Sequence, residues 1–298
     1  MKKTLLTLVQ EELCPNGVWQ LRDTMESVLR CQMSKLPKRD VSEDESRYPV
    51  TREGMRVFLD TFFARHYFQT QNSLIDYMTS IEFLNQLVSG KLQILDVGCG
   101  PSVASLAITD MLDSILRNLV EIDGWPKNKI VKIHYVLNDT SSICLGTGQD
   151  ILADYFRRIK RYNSGGIFQG YTVTIQKAFP NNISQLRRIS LNIGRYDIAT
   201  FSYVIVPLIE KEGFTELVKG LFNIQSLCSD NGRILILQDK FQEQVVKKLS
   251  KATGIPMHRE ELKQYIYSSK NENETYAYSY FAGVYPLSGV TAERTATA

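Results

Sequence analysis

The chain has 298 residues, 43% hydrophobic and 22% charged, with a formal net charge of +3. That is the composition of a globular protein able to bury a large core, and so small a charge does not by itself point to nucleic acid. Five scattered cysteines form neither a disulfide framework nor a metal-ligand spacing, so no metal is expected and a reducing, cytoplasmic setting fits. No apolar stretch approaches membrane-spanning length. The basic start Met1-Lys2-Lys3 leads into an apolar run that Gln10-Glu11-Glu12 cuts short, so no signal peptide is expected.

Residues 1–90 read as an all-helical cap. Leu5, Leu8, Val9 and Leu13 share one helical face, which Pro15-Asn16-Gly17 ends. Trp19, Leu21, Met25, Val28 and Leu29 suggest a second helix. Lys35 to Pro49 is charged and carries two prolines, so it reads as an exposed connection. A third helix starts near Thr51 and carries Met55, Phe58, Leu59 and Phe62; a fourth carries Leu74 to Leu87 and stops at Gly90. Between them lies Phe63-Ala64-Arg65-His66-Tyr67-Phe68-Gln69, which either packs its rings in the core or forms a lid over a ligand.

Leu92 to Val97 reads as a short buried strand. Gly98 and Gly100 follow, then Ser102, which can cap a helix, and the helically spaced series Ala104, Ile108, Met111, Ile115 and Leu119. Strand, glycine turn and helix together bring backbone N–H groups and a helix N-terminus close to a ligand, since glycine carries no Cβ to hold it off. Asp96 ends the strand, so its carboxylate can face the same crevice. The dinucleotide fingerprint needs a third glycine where Val103 stands, which disfavours a nicotinamide cofactor.

Ile94-Leu95-Asp96-Val97-Gly98-Cys99-Gly100-Pro101-Ser102 resembles the first motif of the class I S-adenosylmethionine-dependent methyltransferases, acidic-x-Gly-x-Gly-x-Gly, with Ser102 in the place of the third glycine. The resemblance covers roughly residues 90–286. It implies a doubly wound α/β domain with S-adenosylmethionine held by Asp96, Gly98, Cys99, Gly100 and Pro101. It also makes the lid reading of the N-terminal helices reasonable.

Beyond the first helix, strands and helices alternate, as in a parallel sheet. The turn Asp123-Gly124-Trp125-Pro126 leads to a second strand, Ile130 to Leu137, ending in Asn138-Asp139. A carboxylate at that place can accept both hydroxyl hydrogen bonds of a ribose, the role the resemblance implies. Asp139 is the first choice and Asn138 the second, because a one-residue error in strand phase exchanges them; alternatively Asp139 only caps the next helix. That helix runs to about Arg161, where its basic end suits the helix dipole. Asn163-Ser164-Gly165-Gly166 is a loop, and Tyr171 to Ile175 a third strand. The family often places an acid just beyond this strand, near the adenine. Here stands Gln176-Lys177-Ala178-Phe179, so the backbone and a stacking Phe179 are the alternatives.

Asp197 to Ile205 is a fourth strand and its exit, which in the family ends beside the methyl group. The chain lacks both the Asn/Asp-Pro-Pro-aromatic motif of adenine and cytosine N-methyltransferases and the Pro-Cys nucleophile of many cytosine C5 enzymes. Ser202 and Tyr203 stand there instead, and Tyr203 either orients a substrate or packs. A helix from Glu212 to Cys228, a turn at Ser229-Asp230-Asn231-Gly232 and a fifth strand, Arg233 to Gln238, follow. Lys240 beyond it reads as an ordinary exposed lysine. After a helix near Gln242 to Thr253, Leu262 to Ser268 and Thr275 to Tyr285 flank Asn271-Glu272-Asn273 as an antiparallel hairpin, which is the family's own closing feature.

The expected architecture is a mostly parallel seven-stranded sheet ending in that hairpin. The expected division is a helical cap over 1–90, a cofactor-binding domain over 91–288 and a disordered tail over 289–298. The resemblance implies methyl transfer to an O or N nucleophile. The family has no universal catalytic residue, and Tyr203, His66 and Tyr67 are the candidates here. The aromatic cap and small charge favour a small-molecule acceptor over ribosomal or transfer RNA. A catalytically silent cofactor-binding subunit serving a partner protein is the alternative outside enzymes.

Overall fold

In a computed structural model, residues 3–122, 124–162, 167–266 and 275–286 are described. The expected turns at 163–166 and 271–273, the tail at 289–298 and Asp123 lie outside them. The N-terminal region folds as helices α1 (Leu5–Leu13), α2 (Asp23–Ser34), α3 (Glu43–Arg47), α4 (Arg52–Thr61), α5 (Phe63–Met78) and α6 (Ile81–Leu87). Thr51 caps α4, accepting from the Gly54 N–H at 3.1 Å. The aromatic group 63–69 is not a connection but the first two turns of α5, because nothing in it breaks a helix. The break comes later, where Ser80 caps α6 and divides the expected fourth helix. The charged stretch before Pro49 contains α3.

The remaining elements are β1 (Lys91–Val97), α7 (Val103–Glu121), β2 (Val131–Asp139), α8 (Ser142–Tyr162), β3 (Phe168–Gln176), α9 (Ile183–Ile193), β4 (Tyr196–Ser202), α10 (Ile205–Glu212), α11 (Phe214–Leu227), β5 (Cys228–Asp239), α12 (Glu243–Thr253), β6 (His258–Ile266) and β7 (Thr275–Pro286). The sheet order is β3-β2-β1-β4-β5-β7-β6. The first five strands pair in parallel, and β7 pairs antiparallel with both β5 and β6. The chain leaves β1 toward β2 on one side and returns to β4 on the other. That change of direction opens a crevice at the carboxyl ends of β1 and β4, the place where open α/β sheets bind ligands. Three local readings are corrected. Helix α9 was not anticipated. Nor was α10; the expected helix from Glu212 to Cys228 is α11, which opens after Gly213 at φ 87°. β5 already begins at Cys228 and runs through the expected Ser229–Gly232 turn, with a pairing irregularity against β4.

Helices cover both faces, so the central strands are buried on both sides; every β1 residue after Lys91 is buried. Side chains alternate between the faces. Leu92 and Ile94 join a core with α1, α2 and α4 to α8, whereas Leu95 and Val97 join one with α9 to α12. The N-terminal helices therefore share a core with the sheet. In α5, Phe63, Tyr67, Phe68, Leu74 and Met78 are fully buried, each contributing about 1.5–3 kcal/mol.

A buried ionic cluster fastens this layer. The Arg22 guanidinium donates to Asp110 and to Asp113 (2.8 Å) on α7, Glu12 (2.8 Å) on α1 and the Tyr155 hydroxyl (2.9 Å) on α8. At the far edge, Trp19 donates to the Gln264 carbonyl and accepts from the Ile266 N–H. This bridge takes up groups that β6 would otherwise present to a second chain.

Candidate ligand cleft at the switch point

The turn after β1 requires its glycines. Gly98 and Gly100 stand at φ 62° and 51°, in the left-handed region that glycine enters without a Cβ penalty. A Cβ on Gly98 would lie 2.2 Å from Val204 Cγ2, because the exit of β4 passes directly beside it. A Cβ on Gly100 would meet nothing within 4 Å. Ser102 also has positive φ, at 62°, and stands at the N-cap position of α7 without making a side-chain cap bond. Its expected capping role is thus corrected.

Asp96 is fully buried and turned into the fold. Its carboxylate accepts from the Ser105 hydroxyl (2.7 Å), the Ser105 N–H (3.3 Å) and the Thr200 hydroxyl (2.7 Å). It therefore ties β1 to α7 and β4, and neither it nor Pro101 borders the cleft. Burial pushes the Asp96 carboxyl up to about 6, against the pull of its three hydrogen bonds.

The end of β2 separates its two candidates. The Asn138 amide donates to the carbonyls of Ile175 (3.0 Å) and Lys177 (2.6 Å), fastening the exit of β3. Asp139 is partly exposed beside the turn. Its carboxylate accepts from the N–H groups of Gly100 (2.9 Å) and Ser141 (2.8 Å). Burial raises its pKa, and these bonds and Lys211 oppose the rise. Each carboxylate oxygen retains acceptor capacity after one bond, so the local turn and a ligand can use Asp139 together.

The cleft, about 330 Å³, is bordered by Gly98, Cys99, Gly100, Asn138 and Asp139, by Phe179 and by Ser202 and Tyr203 at the exit of β4. Phe179 is 1% exposed, with its ring edge-on to Phe201 at 5.4 Å and against Gly220, so its packing is with the core. Of the three catalytic candidates, His66 and Tyr203 border the cleft and stack, with centroids 4.0 Å apart. Tyr67, one residue on, lies between Phe63 and Phe68 and does not border it.

Sequence reasoning missed the outer wall. Tyr48, Pro49 and Val50, between α3 and α4, border the cleft, as do Phe58 of α4 and Lys211 of α10. The Pro49 carbonyl accepts from the Ser141 hydroxyl at 3.1 Å and the Cys144 thiol at 3.4 Å, both close behind Asp139. The one signal was an apolar Pro-Val pair closing a charged stretch. Among the described residues, no three His, Cys, Asp or Glu side chains are grouped to hold a metal, and no helix is long and apolar enough to cross a membrane.

The mostly parallel sheet with its antiparallel end and the glycine turn at the switch point form a doubly wound, Rossmann-like α/β fold, the architecture the resemblance implies. The sequence matches no family model and no curated protein. Among solved structures it is similar to the N-methyltransferase NodS of Bradyrhizobium japonicum in complex with S-adenosyl-L-homocysteine, at 12% identity and TM-score 0.38, over 89% of this chain and 100% of that one. It is also similar to precorrin-6y C5,15-methyltransferase of Geobacter metallireducens, at 10% identity and TM-score 0.39, over 70% and 90% of the two chains. A third is an rRNA methylase of Streptococcus thermophilus, at 11% identity and TM-score 0.35, over 66% and 88%. The site is therefore read from its own residues.

Proposed function

We propose that this protein binds S-adenosylmethionine at the switch point and transfers its methyl group to an O or N nucleophile of a small molecule. The observation that carries the proposal is the pairing of Gly100, which leaves room where a side chain would stand, with the Asp139 carboxylate bonded to its N–H. An adenosyl ligand suits this arrangement, because its ribose offers two hydroxyl donors to a carboxylate and its chain needs close backbone approach. When bound, S-adenosylmethionine supplies a methyl carbon made electrophilic by its sulfonium; the acceptor's lone pair forms the new bond as the carbon–sulfur pair returns to sulfur, and the acceptor's proton passes to solvent.

The chain's own part is positioning. Asp139 orients the ribose, the Gly98–Gly100 backbone admits the ligand, and Asp96 fixes the turn between β1 and α7. Ser202 and Tyr203 border the end where the acceptor enters. Such orientation can supply roughly 7–11 kcal/mol of a methyl-transfer barrier. An RNA acceptor lacks a comparable observation, since Arg157 and Arg158 of the basic run both pair with Asp154.

Calorimetric titration tests the cofactor. S-adenosylmethionine and S-adenosylhomocysteine are expected to bind with micromolar affinity and NAD not at all. A folded chain that binds none of them contradicts the proposal. Binding without turnover across a broad acceptor screen would favour the silent-subunit alternative.

A further inference from the structure

The end of the cleft beside β4 is built unlike the rest. Tyr203 holds φ 60°, a backbone region that L side chains rarely adopt. Such strain persists where the surroundings over-determine it, and it clusters at ligand sites. Three contacts hold Tyr203 in place. Its N–H donates to the Leu237 carbonyl at 2.9 Å, its hydroxyl donates to Gln69 Oε1, and its ring lies 12° from parallel with His66. Phe58 stands edge-on to His66 at 5.9 Å. The stacked pair thus joins the β4 exit to α5, and both rings border the cleft.

Charge is distributed unevenly along the same cleft. Lys177 follows β3 and Asp139 ends β2; Lys211 of α10 acts on Asp139, and Glu210 beside it also borders the cleft. Arg47 stands two residues before Pro49, whose carbonyl accepts from Cys144 of α8. Asp139 and Lys211 thus interact at the end of the cleft beside β2. At the β4 end His66 is neutral at pH 7, because burial pulls its imidazole well below the usual range and the adjacent Arg65 charge adds to the effect. The Arg65 guanidinium approaches His66 Nε2 at 3.5 Å and lies over the rings of Phe62 (5.2 Å) and Tyr278 (4.3 Å), outside the cleft lining.

Resting on the methyl-transfer reading, we infer that the His66–Tyr203 pair is the acceptor seat and that it selects an uncharged, planar ring compound carrying the nucleophilic O–H or N–H. A ring gains offset-stacked or edge contacts against this pair and Phe58. A charged acceptor would lose hydration between these rings, which carry no counter-charge of their own. The neutral imidazole leaves the seat uncharged.

The test uses the full chain saturated with S-adenosylhomocysteine and two probes of matched shape, 2-naphthol, neutral at pH 7, and the anion 2-naphthoate. Calorimetry is expected to show 2-naphthol binding about tenfold more tightly. His66→Ala is expected to weaken 2-naphthol by a similar factor while leaving S-adenosylhomocysteine affinity in place, and His66→Phe, which keeps a ring, to restore most of it. Equal or tighter binding of 2-naphthoate overturns the inference, as does 2-naphthol affinity unmoved by His66→Ala. A folded wild-type chain that fails to bind S-adenosylhomocysteine sinks the functional reading, and the inference with it. Bound S-adenosylhomocysteine with no preference between the probes sinks the inference alone.

Discussion

The inner wall of the cleft is backbone and fixed hydrogen bonds: two left-handed glycines and Asp139 holding the Gly100 N–H, braced from behind by a buried Asp96 with three donors. The outer wall is side chains on helices, with Phe58, His66 and Val50 brought up by a layer that Arg22 and apolar burial hold to the sheet. A wall of the first kind tolerates almost no added atom. One of the second kind depends on distant packing and can change its lining with little effect on the sheet. The proposed function assigns cofactor geometry to the first and acceptor choice to the second.

The largest expected effect comes from breaking the outer wall's anchor. Arg22→Met leaves Glu12 and Asp113 paired with Arg117, and Asp110 with the Tyr155 hydroxyl and the Gln71 amide, and should cost roughly 3–5 kcal/mol in urea unfolding, the scale for breaking a buried ion pair. A loss below about 1 kcal/mol would mean that apolar packing alone holds the layer.

The two glycines sharpen the inner wall. Gly98→Val drives its side chain into Val204 at positive φ and should cost roughly 2–5 kcal/mol of stability as well as cofactor binding. Gly100→Ala has free space, so stability should fall by only about 1–2 kcal/mol while the methyl group stands in the ligand's place. Equal losses of stability in the two variants would contradict this division.

Titration separates the walls by sign. The Asp96 carboxyl moves from an ordinary 3.8 to about 6 on folding. The native state therefore holds more protons between these values, and stability should fall by about 3 kcal/mol as pH rises through that window. Asp96→Asn should remove this decline. Glu12 goes the other way. Burial raises its carboxyl, but the Ser114 hydrogen bond and the charges of Arg22 and Arg117 outweigh that and leave it lowered from 4.5. Its contribution is present above pH 4.5 and is lost as pH falls through the lowered value, a loss absent in Glu12→Gln. Asp139→Ala is read through binding: it should weaken S-adenosylhomocysteine by about 1–3 kcal/mol in calorimetry.

The inner wall was legible because its residue types are forced. Only glycine enters positive φ without strain, and a carboxylate closing a parallel strand is exposed to the crevice by topology. Even there, phase decided roles, sending the Asn138 amide to β3 and Asp96 into the core while Asp139 kept the cleft. The outer wall was not legible. His66 and Tyr67 are adjacent and chemically similar as candidates, yet neighbours on a helix point about 100° apart. Which of them meets the cleft depends on how α5 packs along α7. Tyr48, Pro49 and Val50 reach the cleft only through tertiary bonds from Ser141 and Cys144, which no local pattern encodes.

Hydrogen–deuterium exchange of the full chain, with and without S-adenosylhomocysteine, tests the central claim most directly. Protection is expected in 97–102 and 138–144, with weaker protection in 47–50. Binding accompanied by protection elsewhere, and none in the turn after β1, would contradict the site assigned here.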